Sequence, residues 1–192
     1  MPQIVLGSSS PFRKQLLQQL LDEFDTCSPD IDETPFENET PEELVKRLAV
    51  KKAEAVAEQF PQALIISSDQ VSVLDGKING KPGNFDNAVA QLKASSGKQV
   101  TFFTSLCLYD GETKQFQLDV VPFHVQFRKL DDAKIRRYVE KEAPFNCAGS
   151  FKSEGLGISL FESLEGSDPN SLIGLPLIKL VTMFEQKGIQ IP

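Results

Sequence analysis

Histidine is all but missing from this chain: His124 is the single one among 192 residues, and it falls inside a stretch that reads as a strand. Neither a histidine-based nucleophile triad nor a histidine metal cluster is expected. Cysteine is scarce too. Cys27, Cys107 and Cys147 are odd in number and show no CxxC spacing, so they suggest neither a disulfide framework nor a zinc site, and they fit a reducing cytosol. Positive charge is in deficit: 20 Lys plus Arg stand against 27 Asp plus Glu, a net charge of -7 and the wrong sign for wrapping a nucleic-acid backbone. Any phosphate has to be met locally. No stretch reaches the roughly 18 apolar residues of a membrane span, and no basic segment precedes an apolar run at the N-terminus. The expectation is a soluble, cytoplasmic protein with neither nucleic acid nor membrane among its partners. Repeats, low-complexity tracts and flexible linkers are lacking as well, and the 40% hydrophobic content is enough to bury a sizeable core in a single domain over residues 1–192.

What is present centres on Leu64 to Val71. Leu64, Ile65 and Ile66 followed at once by Ser67, Ser68 and Asp69 read as a strand buried on both faces, whose carboxyl end emerges into a cleft. Ligand crevices of open α/β sheets lie beyond those ends, which makes Asp69 a catalytic candidate; the plain alternative is a capping or turn aspartate. Upstream, Gln3 to Leu6 reads as a strand, and Gly7 to Ser10 leads into a helix with Ser10 as N-cap, Pro11 as first residue and Phe12, Leu16, Leu17 and Leu20 as apolar face. Free backbone N–H groups and the helix dipole make such a loop an anion site. Arg13 opposes that dipole, and pairing with a phosphate would account for it, although a surface arginine on an ordinary capped helix reads equally simply. No GxxxxGK[ST] occurs, so this is not a P-loop.

Asp30, Asp32 and Glu33 fall in a turn-rich segment that is either a solvated loop or a source of one or two carboxylates for a hard divalent cation shared with Asp69. Thr40-Pro41-Glu42-Glu43 is a capping box opening a helix to about Phe60. Its apolar face, Leu44, Leu48, Val56 and Phe60, is interrupted by Lys52, which either snorkels or points into an acidic, phosphate-binding cleft. Val71 to Ile78 reads as a hairpin around Asp75-Gly76, and Lys81 follows on irregular backbone in Gly80-Lys81-Pro82-Gly83. A helix over Phe85 to Ser96, closed by Gly97, has Phe85, Ala88, Val89 and Leu92 inward. Two long antiparallel strands, Val100 to Leu108 and Phe116 to Phe127, turn at Asp110-Gly111. Asp131 caps a helix with Ile135, Tyr138 and Val139. The glycine-rich stretch Cys147 to Gly157 leads to a strand at Ile158 to Phe161. Asp168-Pro169-Asn170-Ser171 and Gly174-Leu175-Pro176 then open a last helix with Leu177, Leu180, Val181 and Phe184 inward. The order of elements predicts a mixed-sheet α/β structure with a cleft between two lobes.

Ser8-Ser9-Ser10-Pro11-Phe12-Arg13, Asp32-Glu33-Thr34, Ser68-Asp69-Gln70, Gly80-Lys81-Pro82 and Gly149 to Gly155, in that order and over nearly the whole chain, closely resemble the Maf family of nucleoside-triphosphate pyrophosphatases. Gly149 to Gly157 with Asp168-Pro169-Asn170 looks like the branch acting on 7-methyl-GTP. The resemblance implies an elongated Maf/ITPase-like α/β fold with two lobes around a central cleft, and hydrolysis of a nucleoside triphosphate to monophosphate and pyrophosphate with a divalent metal, Mg²⁺ or Mn²⁺. By the same resemblance Asp69 is the general base, Glu33 and Asp69 lie at the metal, and Ser8, Arg13, Lys52 and Lys81 surround the triphosphate. Phe12, Gln70 and Glu154 govern base selectivity, with Phe12 standing where that branch is expected to have tryptophan. A homodimer is implied by analogy. Two competing expectations are a pyrimidine-preferring or broad pyrophosphatase of the same family, and a nucleotide-binding regulator of septum formation without turnover. The chemistry needs a base for the attacking water and charge neutralisation around the phosphates more than a covalent nucleophile.

Overall fold

The computed structural model describes residues 2–192. In chain order come strand β1 (Ile4–Gly7), helix α1 (Pro11–Leu17), β2 (Asp25–Cys27), α2 (Pro41–Ala57), β3 (Leu64–Ser67), β4 (Gln70–Leu74), β5 (Lys77–Asn79), α3 (Phe85–Ser95), β6 (Gln99–Asp110) and β7 (Phe116–Phe127). Helix α4 (Asp132–Glu142), two 3₁₀ turns (Ala148–Ser150 and Leu156–Leu160), β8 (Phe161–Gly166), α5 (Pro169–Ile173) and α6 (Leu177–Gln186) complete it. The eight strands form one mixed sheet of order β2-β1-β3-β6-β4-β5, with β7 on β6 and β8 on β7. Among the described residues no helix is long and apolar enough to cross a membrane.

Two compact units, neither a continuous segment, share the chain. The first takes Met1–Asp69, Thr104–Val121 and Asp168–Pro192. In it β1 pairs in parallel with β2 and β3, and β3 pairs antiparallel with β6, Ser67 opposite Cys107. Successive side chains of a strand point to opposite faces, and here both faces are apolar. Ile4, Leu6, Leu64, Ile66, Leu106 and Leu108 join Leu16 and Leu17 of α1 and Leu180 and Phe184 of α6. Val5, Ile65, Cys107 and Tyr109 of the other face join Ala49, Ala53 and Val56 of α2. The buried hydrophobic run before Asp69 is thus covered by helices on both sides.

The second unit takes Gln70–Phe103 and Pro122–Ser167. Its β4–β5 hairpin turns at Asp75 and Gly76, φ 50° and 75°, the backbone of a type I′ turn. Phe102, Phe127, Phe151 and Phe161 pack edge to face with centroids 4.7 to 5.6 Å apart.

Several boundaries differ from the sequence reading. Ile158 lies not in a strand but in the second 3₁₀ turn, more than half exposed, and the strand is Phe161–Gly166. At Gly157 the chain folds back so tightly that a Cβ would lie 2.2 Å from the Lys152 carbonyl oxygen, a closure that the largely apolar run Ile158 to Phe161 does not reveal. The last helix forms after Pro176 as read, but a short helix, α5, precedes it and is parted from it at Gly174 with φ 135°; within the last helix Met183 is buried and Val181 only half-buried. Phe85 is half-buried instead of fully inward, and α2 stops at Ala57, three residues before Phe60.

Candidate active site

Lys52 gathers the first part of the site. It sits on α2 one turn beyond Leu48, on a face that packs inward, and it is only 7% exposed. Its Nζ does not snorkel to water but lies 2.6 Å from Asp69 Oδ1 and 2.8 Å from Glu33 Oε1. Asp69 follows β3 and is itself 8% exposed. Its main chain is held on both sides by Ser105: the Asp69 N–H donates to Ser105 Oγ at 3.0 Å, and the Ser105 N–H donates to the Asp69 carbonyl at 2.9 Å. Ser105 Oγ in turn donates to Val45 O at 2.6 Å, and Ser67 Oγ to Ala49 O at 2.6 Å, which ties the strand end to α2. The carboxylate is therefore fixed by strand, helix and ammonium together.

Arg13 and Ser8 lie at the start of α1. Ser10 caps the helix by accepting from the Arg13 N–H at 3.3 Å, and Ser8 Oγ accepts from the Ser10 N–H at 3.1 Å. Arg13 Nε donates to Gly174 O at 2.8 Å. Burial lowers the Arg13 pKa, and the negative charges of Asp69 and Glu33 oppose that shift. A guanidinium does not lose its proton in a protein, so the half-buried Arg13 adds a permanent positive charge within electrostatic range of two acids. Phe12 is half-buried on the same helix and lies outside the cluster that Leu16 and Leu17 enter.

Glu33 belongs to an irregular, mostly exposed loop ordered from α2 by Arg47. Arg47 Nε and Nη2 meet Glu39 Oε1 and Oε2 at 2.6 and 2.8 Å, Nη2 also donates to Thr34 O at 3.1 Å, and the guanidinium lies 3.8 Å from the centre of the Phe36 ring. These bonds hold the Glu39 carboxyl well below its usual range, at about 2. Asp32 Oδ1 accepts from the Thr34 hydroxyl and N–H, which lowers its pKa as well. No three His, Cys, Asp or Glu side chains gather as a metal cluster among the described residues. Glu33 and Asp69 nevertheless converge on one positive charge, and two carboxylates with substrate phosphates and water are what Mg²⁺ usually takes.

Gln70, Lys81 and Glu154 belong to the second unit. Gln70 opens β4 and is half-buried, while Lys81 is exposed between β5 and α3. Glu154 is exposed, and its loop is braced by Tyr138 Oη, which accepts from the Lys152 N–H at 2.9 Å, and by Glu142 Oε1, which accepts from the Leu156 N–H at 3.0 Å. Burial raises the Cys147 thiol pKa, a shift that the charges of Lys152 and Lys81 oppose and those of Glu154 and Glu142 reinforce. Ser105 and Arg47 lie outside the sequence reading, and Ser68 enters it only within the Ser68-Asp69-Gln70 motif, with no role of its own. Serines and a helix arginine carry no spacing signal. Gly174 was visible only as punctuation before a proline.

The family described as Maf-like protein matches residues 3–187. A 7-methyl-GTP pyrophosphatase of Pseudomonas aeruginosa is 55% identical over 192 residues, covering 100% of both chains. One of Colwellia psychrerythraea is 56% identical over 191 residues, covering 100% of this chain and 96% of its own. Among solved structures, the Ham1 protein of Staphylococcus aureus covers 97% of this chain and 99% of its own, with a TM-score of 0.56 at 15% identity, a likeness of fold alone.

Proposed function

The chain belongs to the Maf-like protein family, and from that premise we propose that it hydrolyses the α–β phosphoanhydride of a nucleoside triphosphate, 7-methyl-GTP in preference to others, to the monophosphate and pyrophosphate. The observation that carries the reading is Lys52 Nζ between Asp69 and Glu33, with Arg13 acting on the same two carboxylates. A buried acid at a strand end, framed by cations, is the arrangement that in-line attack of water on the α-phosphorus calls for. Asp69 takes the proton of the water. Arg13, Lys52 and the Ser8 to Ser10 loop carry the negative charge of the phosphates; an entering triphosphate offers Lys52 new oxygens and loosens its hold on Asp69. Asp69 and Glu33 would hold Mg²⁺ or Mn²⁺, which when bound neutralises phosphate charge. Lys81 is assigned to the triphosphate, and Phe12, Gln70 and Glu154 to the base, on the family resemblance. A cytoplasmic location and a homodimer go with the same reading.

Purified protein incubated with 7-methyl-GTP, GTP and UTP in Mg²⁺ or Mn²⁺ is expected to release pyrophosphate. Orthophosphate in its place would overturn the site of cleavage, and binding with no product under either metal would favour a regulator without turnover.

A further inference from the structure

The corner between α5 and α6 presents one carbonyl that two other elements use. Gly174 O accepts from Arg13 Nε at 2.8 Å and from Ser68 Oγ, on the residue before Asp69, at 3.0 Å. The arginine assigned to phosphate and the residue carrying the base into place are therefore tethered to the same oxygen. The corner that carries that oxygen is bridged by Asp168. This carboxylate is 2% exposed and spans the corner: Oδ1 accepts from the Asn170 N–H at 2.9 Å in the first turn of α5, and Oδ2 from the Ile178 N–H at 2.8 Å in the first turn of α6. Gly174 lies between these two anchor points. Its φ of 135° is one that L side chains rarely adopt, and a Cβ there would stand 3.4 Å from Arg13 Nε. The backbone conformation of the corner is thus one that glycine favours, with Arg13 in contact with it.

A guanidinium fixed through Nε keeps its two terminal nitrogens to present as a fork, the geometry that suits phosphate oxygens. We propose that Asp168 is a positioning residue for the hydrolysis: through the Gly174 carbonyl it sets the Arg13 fork relative to Asp69. The proposal rests on the reading of Arg13 as a triphosphate ligand. If Asp168 served only to cap two helices, its loss would lower stability without regard to Arg13.

The test is a double-mutant cycle in the full chain. Asp168→Asn keeps the volume but can accept through one oxygen only; it is combined with Arg13→Ala. Two quantities are read, kcat/KM for pyrophosphate release from 7-methyl-GTP and the calorimetric Kd for inorganic tripolyphosphate, which needs the arginine but no turnover. Asp168→Asn is expected to weaken both roughly tenfold, because small misplacements of a positioning group are costly. Added to Arg13→Ala it should then cost less than about twofold more, since coupled residues do not add. Losses that multiply in the double variant, or an Asp168→Asn protein equal to the wild type, would overturn the proposal. A wild type that binds tripolyphosphate yet releases no pyrophosphate from any nucleotide would refute the assigned activity, while the tripolyphosphate arm of the cycle still decides the positioning role. Should Asp168→Asn not fold, Gly174→Ala takes its place in the same cycle; failure of both to fold assigns the corner to stability and sinks the idea.

Discussion

Lys52 has one positive charge and two carboxylates to share it with, and both its own surroundings and those of Asp69 are nearly closed to water. Removing one member of a buried pair leaves the other uncompensated, which costs more than the pair contributes. Lys52→Met should therefore lose on the order of 3 kcal/mol of stability, read by urea unfolding. It should also lose activity toward every nucleotide alike, because phosphate contacts carry no information about the base. Full stability and full activity together would make Lys52 a bystander. Asp69→Asn behaves differently. It keeps shape, and Lys52 retains Glu33 as a carboxylate partner, but the amide cannot accept the proton, so kcat is expected to fall by about 10² to 10⁴ while the loss of stability stays smaller than that of Lys52→Met. A variant with wild-type kcat would move the base elsewhere.

The loop that carries Glu33 has no regular structure of its own, and its order comes from one helix residue. Arg47 holds Glu39, the Thr34 carbonyl and the Phe36 ring at once, so Arg47→Ala should open residues 31–40 to limited proteolysis well before the rest of the chain is cut. Cleavage rates equal to those of the wild type would count against the clamp. Its pH dependence has a definite sign. Glu39 titrates at about 2 in the folded chain against an ordinary value of 4.5, so the stability it contributes is fully present above 4.5 and is lost as pH falls toward 2. The melting temperatures of wild type and Glu39→Gln should differ at pH 6 and converge by about pH 2; a gap that persists there would mean that charge is not what holds the loop. Elements with strong local signals were legible from sequence: the Thr40 capping box, the Asp75-Gly76 hairpin and the apolar run before Asp69 all form as read. Closures set by distant contacts were not. Nothing in Ile158's neighbourhood announces that the chain turns back onto the Lys152 carbonyl, and nothing in Arg47's announces a partner eight residues away on irregular backbone.

Across the whole chain, a net charge of -7 is compatible with a polyanionic substrate only because cations are brought together from separated positions. Arg13 and Lys52 are 39 residues apart in sequence by their numbers and act on the same two acids; helical spacing already marks Lys52 as a residue that either snorkels or enters an acidic cleft, whereas Arg13 stands out only against its helix dipole. The identity of the base is a separate matter, since charge that attracts any triphosphate selects none. N7-methylated guanine carries a positive charge on its ring, which favours an aromatic face, and it offers an N1–H and an amino group to a carboxylate. Phe12 and Glu154 are the residues assigned to those two tasks. The wild type should thus turn over 7-methyl-GTP with a higher kcat/KM than GTP. Glu154→Gln should narrow the preference without changing the pyrophosphate product, because an exposed loop acid is remote from any part in folding. Phe12→Trp should widen it, since tryptophan is the stronger partner for a cation, by an amount corresponding to about 0.5 to 1 kcal/mol. Ratios of kcat/KM for the two nucleotides, measured in all three proteins, check both directions at once. Equal ratios throughout would detach Phe12 and Glu154 from the base and leave a broad or pyrimidine-preferring pyrophosphatase as the better description of the same phosphate chemistry.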